Sequence, residues 1–166
     1  MPGPRRVGRD GRGRPFDAAL ARDGSDVTVR FQDVSVGEEI PSLSKVVQRE
    51  EVQAYADASG DQNPLHQDDA FARSVGFPGI IAHGMFTLAH LTKALTDWLG
   101  DPSALLQLKV QFRAVVFMDE TLVAKGRIDE LDPATRQARL SVWAEVERAG
   151  ERVLPIKNST ALVRLG

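Results

Sequence analysis

Apolar residues recur along this chain with two different periods, and the change falls at Gly100-Asp101-Pro102. Before it, Met85, Phe86, Leu88, Leu91, Leu95 and Leu99 are among positions covering most of the circumference of a helix predicted from Gly84 to Leu99. A helix that is apolar nearly all round has other structure wrapped about it. After the break the period drops to two. Leu106, Leu108, Val110 and Phe112 alternate with Gln107, Lys109, Gln111 and Arg113, the pattern of a strand with one buried face. Residues 122–131, 138–146 and 152–165 read as three more strands, with Pro155 placing the last at an edge or a bulge. The connections "MDE", "DPATR" and "RAGE" read as hairpin turns.

Upstream, residues 27–31 and 40–47 read as short extended segments, Pro41 confining the second to an edge or a strand start. "REEVQAYADASG" reads as a helix: acids at its front suit the macrodipole, Val52, Tyr55, Ala56 and Ser59 share a face, and Gly60 fits its end. Asn63 is a good cap and Pro64 a good first helical residue, which predicts a second short helix from Pro64 to about Ser74. One buried helix followed by four consecutive antiparallel strands predicts an α+β fold with the sheet curled around the helix.

A chain of 166 residues suits one domain. Its first 26 residues are Arg, Gly and Pro with little to bury, so the domain is expected over 27–166 and a disordered tail before it. "RGRP" at 12–15 resembles an AT-hook core, but the match is short and occurs once, and 21 basic against 23 acidic residues give no general support for nucleic-acid binding. Without cysteine there is no disulfide, thiol chemistry or cysteine-based metal site. Residues 80–99 carry His83, His90, Lys93 and Asp97 and are not a membrane span. Arg5-Arg6 is followed by no apolar segment, so no export signal is read and the expected location is the cytoplasm.

The chemistry concentrates in "SGDQNPLHQDD", residues 59–69. Asp61 and His66 are five residues apart, which on a continuous helix at roughly 100° per residue sets them about 140° apart. If Gly60 ends one helix and Pro64 begins the next, the bend lets the carboxylate and the imidazole converge. Downstream, His83-Gly84 opens the apolar helix, whose first-turn amides and positive dipole end are free to meet a ligand. Glycine there lets a carbonyl come close, and such an amide stabilises the enolate character developing on a thioester. His83 and His90 lie two helical turns, about 10.5 Å, apart, too far for one zinc with bonds near 2.0–2.1 Å. No "GxSxG" elbow marks a serine hydrolase.

Taken together, the run Tyr55-Ala-Asp-Ala-Ser-Gly-Asp61-Gln-Asn63-Pro64-Leu-His66, then Ala72, then Ala82-His83-Gly84-Met85, resembles the MaoC-like (R)-specific enoyl-thioester hydratases. The segment from Gly100 to Val116 looks most like the catalytic subunit of actinobacterial (3R)-hydroxyacyl-ACP dehydratases. The resemblance spans about Asp33 to the C-terminus. It implies a hot-dog fold, a sheet wrapped round a long central helix. It also implies a hydro-lyase acting on acyl-CoA or acyl-ACP, with Asp61 and His66 as catalytic dyad. Gly84, with Asn63, Thr92 and His83, makes up the oxyanion and substrate-binding set; Thr92 stands where many relatives have a serine supporting the aspartate. The implied assembly is a homodimer, or a heterodimer with a related hot-dog subunit, and no metal or organic cofactor is expected. An acyl-thioesterase on the same fold and a non-catalytic acyl-binding subunit are the competing readings; "GDxNPxH" argues against the first and retention of both Asp61 and His66 against the second.

Overall fold

Gly100 does stop the long helix. In the computed structural model, which describes residues 29–166, it adopts a left-handed conformation (φ 75°) and its N–H closes on the Thr96 carbonyl at 3.0 Å. Asp101 then caps a single 3-10 turn, Pro102–Ala104, its carboxylate accepting from the Ser103 amide at 2.8 Å. The expected tail over 1–26, its AT-hook-like "RGRP" and the first residues of the strand expected over 27–31 lie outside the described residues.

The elements run β1 (Leu43–Val46), α1 (Arg49–Ser59), α2 (Asp69–Ser74), α3 (Gly84–Leu99), β2 (Leu105–Lys109), β3 (Thr121–Asp132), β4 (Gln137–Arg148) and β5 (Glu151–Arg164). All five strands pair antiparallel, in the order β1-β3-β4-β5-β2. The sheet curls around α3, and the alternation read from the sequence faces it: Leu122, Ala124 and Ile128, then Leu140, Val142 and Ala144, are all buried beneath the helix. Burying Leu91, Leu95 and Leu99 on the facing stripe of α3 contributes about 1.5–3 kcal/mol each. Among the described residues, no helix is long and apolar enough to cross a membrane.

Three expectations about these elements need correction, and the alternative left open at Pro155 is resolved. Val29 and Phe31 pair only with Gly166 (2.8 and 2.9 Å), after which the chain winds into a 3-10 turn, Phe31–Asp33, instead of continuing as a strand. "MDE" is not a hairpin: β2 lies at one edge against β5 while β3 pairs with β1 and β4, so the chain crosses between non-adjacent strands there. The other two turns hold, Arg136, Ala149 and Gly150 all taking positive φ. Pro155 sits on an internal strand, next to two register shifts in the β4–β5 ladder, so the bulge explanation is the right one. Finally, α3 is enclosed along a stripe and not all round, since Met85, Ala89, Lys93 and Asp97 face outwards.

One consequence of this topology positions the chemistry. Residues 47–104 form a single crossover between the two edge strands, and every candidate site residue belongs to it. It is fastened from several sides. The Asp69 carboxylate accepts from the Ile80 amide (2.9 Å) and from the Arg49 guanidinium (2.6 Å), and the Ala82 amide reaches the Val116 carbonyl at 2.8 Å.

Candidate active site

The turn between α1 and α2 is built by consecutive caps. Gly60, left-handed at φ 76°, closes α1 through its N–H on Ala56 O and turns the chain away. The Asp61 carboxylate accepts from the Asn63 amide at 3.3 Å. The Asn63 side chain in turn accepts from the Leu65 amide at 3.0 Å and starts a 3-10 turn, Pro64–His66. The continuous helix expected from Pro64 to Ser74 is therefore two pieces. Asp68 caps a separate α2 by accepting from Ala70 and Phe71, and this second cap ends the first turn just after His66. A ring of side-chain amides, Gln53 to Gln67 (3.2 Å), Gln67 to Gln62 (2.8 Å), and both Gln62 (3.3 Å) and Gln53 (3.1 Å) to Asp57, straps this loop onto α1.

That local geometry brings Asp61 and His66 together. A carboxylate oxygen of Asp61 and one ring nitrogen each of His66 and His83 all lie within 4.8 Å of one another. His66 Nδ1 is 2.8 Å from the Ile81 carbonyl. A carbonyl oxygen only accepts, so Nδ1 carries the proton and Nε2 of the neutral ring keeps a free lone pair. His66 is half-buried while Asp61 and Asn63 stay exposed, so the pair faces accessible space.

His83 ends the segment before α3 and Gly84 is the first residue of that helix. The Gly84 amide has no acceptor within its own helix, as befits a first-turn position, and the His83 side chain does not cap it. A Cβ built on Gly84 would stand 3.5 Å from the Phe112 ring, so an aromatic from the loop after β2 walls this amide on one side. Thr92 is not part of the cluster within the chain. It lies eight residues along α3 from Gly84, about 12 Å of rise, and its hydroxyl donates to the Leu88 carbonyl at 2.9 Å. The tie to Asp61 expected from the serine of relatives does not form among the described residues. His90 is a satisfied buried histidine, its Nε2 2.9 Å from the Leu43 carbonyl.

One carboxylate and two imidazoles so close together suggest a metal set, but the rings rule against it. His66 and His83 are stacked, centroids 3.8 Å apart and planes tilted by 29°. A metal must lie in the plane of each imidazole that binds it, and two such planes meet far beyond the 2.0–2.1 Å reach of a metal–nitrogen bond.

Burial pushes both His83 and His90 below the ordinary histidine value. At His83 the hydrogen bond to the Asp61 carbonyl opposes that push and the neighbouring His66 adds to it; at His90 the bond to the Leu43 carbonyl opposes it. A base whose folded pKa lies below its unfolded value, about 6.5, favours folding fully above that value and loses the contribution as pH falls towards the folded one. The Tm should accordingly drop between about pH 7.5 and 5.5, and His90→Gln, a non-titrating donor, should flatten part of that slope. Calorimetry across this range tests it, and a Tm independent of pH would contradict it.

Two features were invisible in the sequence. The Ile81 carbonyl that orients His66 is backbone and leaves no residue signature. Tyr55, although inside the motif, carried no assigned role; its ring lies 4.9 Å from that of His83.

Residues 28–145 match the family described as "MaoC like domain". A 3-hydroxybutyryl-CoA dehydratase of Methylorubrum extorquens is 34% identical over 132 residues, 76% of this chain and 83% of that protein. An (R)-specific enoyl-CoA hydratase of Aeromonas caviae is 35% identical over 101 residues, 60% of this chain and 75% of that one. The solved (R)-hydratase of A. caviae superimposes with a TM-score of 0.72 at 29% identity, covering 81% of this chain and 99% of that one. Other relatives are much longer: the chain covers 24% of the peroxisomal enoyl-CoA hydratase 2 of Arabidopsis thaliana, at 44% identity over 75 residues.

Proposed function

Because the chain belongs to the MaoC-like family, we propose that it is a hydro-lyase interconverting a 2-enoyl thioester and a (3R)-3-hydroxyacyl thioester, with coenzyme A as carrier. The observation that carries this reading is the convergence of the Asp61 carboxylate with the imidazole of His66, whose ring the Ile81 carbonyl orients through Nδ1. The chemistry follows from the parts. A water that donates one hydrogen to the Asp61 carboxylate and the other to His66 Nε2 presents its oxygen lone pairs to the β-carbon. As the C–O bond forms, one of the two groups takes the water proton and the π-electrons move onto the thioester oxygen as an enolate. The Gly84 amide donates to that oxygen. Return of a proton to the α-carbon completes the addition, and dehydration is the same path reversed.

A second hot-dog subunit, identical or related, completes the site in this reading. Met85 (54% exposed) and Phe112 (47%) leave apolar surface beside Gly84, and Leu106 (43%) adds more on β2. Strand β2 beside them is a sheet edge with unpaired backbone groups. Relatives named (R)-specific support the (3R) product.

Purified protein should consume crotonyl-CoA, followed as loss of enoyl absorbance, and the product should be oxidised by a (3R)- but not a (3S)-specific hydroxyacyl dehydrogenase. Absence of turnover on CoA and ACP substrates, alone and with a co-encoded hot-dog partner, would sink the assignment; a (3S) product would sink its stereochemistry.

A further inference from the structure

His83 is 2% exposed, yet it touches both members of the reacting pair. Its Nε2 lies 3.1 Å from the Asp61 backbone carbonyl, and its face lies against the His66 ring at 3.8 Å. Tyr55 of α1 packs against it in turn, with Phe86 of α3 edge-on to Tyr55 at 5.9 Å. We infer that His83 is the positioning residue of this site, one ring that anchors the backbone of Asp61 through its N–H and backs the His66 imidazole with its face. The inference rests on the reading of Asp61 and His66 as the reacting pair.

The protonation state follows from the partners. The Asp61 carbonyl can only accept, so His83 Nε2 bears hydrogen. Nδ1 is buried without a hydrogen-bond partner. Putting a proton on it would bury an N–H with no acceptor, beside His66, and that costs far more than leaving the lone pair bare. The titratable groups facing His83 are His66, Asp61 and Tyr55. Held neutral, the ring offers its π-face to whatever charge His66 acquires in turnover, whereas a charged ring would repel it. The position therefore needs a flat ring of imidazole size, a donor at its far corner and no charge. Phenylalanine supplies only the face and glutamine only the donor.

Two measurements on the full chain test this. Nitrogen-15 NMR of the imidazoles should find His83 as the neutral Nε2–H tautomer and neutral His66 as the Nδ1–H tautomer throughout about pH 6.5–8. His83→Phe and His83→Gln should each lower kcat for crotonyl-CoA about 10–100-fold while KM stays within about twofold, because misplacement of a reacting group taxes the transition state more than binding. A merely structural residue would lower Tm and the folded fraction without changing kcat per folded site. The inference falls if His83 is charged or carries its proton on Nδ1 near pH 7, or if either variant folds and retains wild-type kcat. Where both variants fail to fold, the wild-type spectra decide. Asp61→Asn and His66→Gln run alongside separate the two layers. If they are impaired while the His83 variants keep full rates, only the positioning role is lost; if they too keep full rates, the dyad itself is wrong.

Discussion

Replacing Asp61 by Asn, or His66 by Gln, should lower kcat for crotonyl-CoA hydration by about 10²–10⁴-fold in each case, the usual contribution of a positioned acid–base group. Asp61→Asn is the cleaner of the two. An asparagine oxygen can still accept from the Asn63 amide, the bond that shapes the turn at 3.3 Å, and the Asp61 carbonyl that meets His83 is backbone and unaffected. Only the capacity to take a proton goes. His66→Gln keeps an N–H that can serve Ile81 but removes the ring stacked on His83 along with the basic nitrogen, so its loss combines chemistry with placement and should be the larger. The double variant should be scarcely worse than the poorer single one, because groups that act on one water act as a unit. Single-turnover kinetics with Tm as a folding control measure all three. Full rates in both single variants would remove Asp61 and His66 from the mechanism.

How much of this site could be read in advance depends on whether each decision was local. Gly60 ending α1, Asn63-Pro64 starting a new turn and Gly84 opening α3 are written in residues within a turn of the event they cause, and each occurs where the sequence places it. The split between Pro64–His66 and α2 was also local. Asn63 and Asp68 are two caps five residues apart, and each starts its own turn. The neighbour of β2 is a different kind of fact. Alternation from Leu106 to Phe112 predicts a strand but says nothing about which strand lies alongside, and the structure pairs β2 with β5 and not β3, with an irregularity between Leu105 and Gln107 that leaves Leu106 exposed. Thr92 fails for a related reason: position in a motif fixes its place on α3, but the hydroxyl's partner is set in three dimensions. The same holds for Ile81, whose contribution is a carbonyl any residue would supply.

Gly84→Pro should lower kcat by about 10²–10³-fold, equivalent to about 2.7–4 kcal/mol, the usual cost of one lost oxyanion donor. It should do so without unfolding the protein. Proline is welcome at the first position of a helix, where its missing N–H has no intrahelical acceptor to lose, and Gly84 holds that position in α3. A residue before proline must be extended, with ψ near +120 to +160°; His83 already has φ −59° and ψ 140°. The Cβ that either variant adds is accommodated, since it would meet the Phe112 ring at the ordinary contact distance of 3.5 Å. Gly84→Ala is the necessary partner experiment. It places the same Cβ against Phe112 but keeps the amide, and alanine is the better helix former by about 1 kcal/mol, so its Tm should match or exceed that of the wild type. The two variants share the added Cβ and differ in the N–H and in the two ring carbons that close on that nitrogen in proline. A kcat for Gly84→Pro far below that of Gly84→Ala, at similar Tm, would locate transition-state stabilisation in that one amide. Equal losses would mean that glycine is needed for space and that the thioester oxygen finds its donor elsewhere.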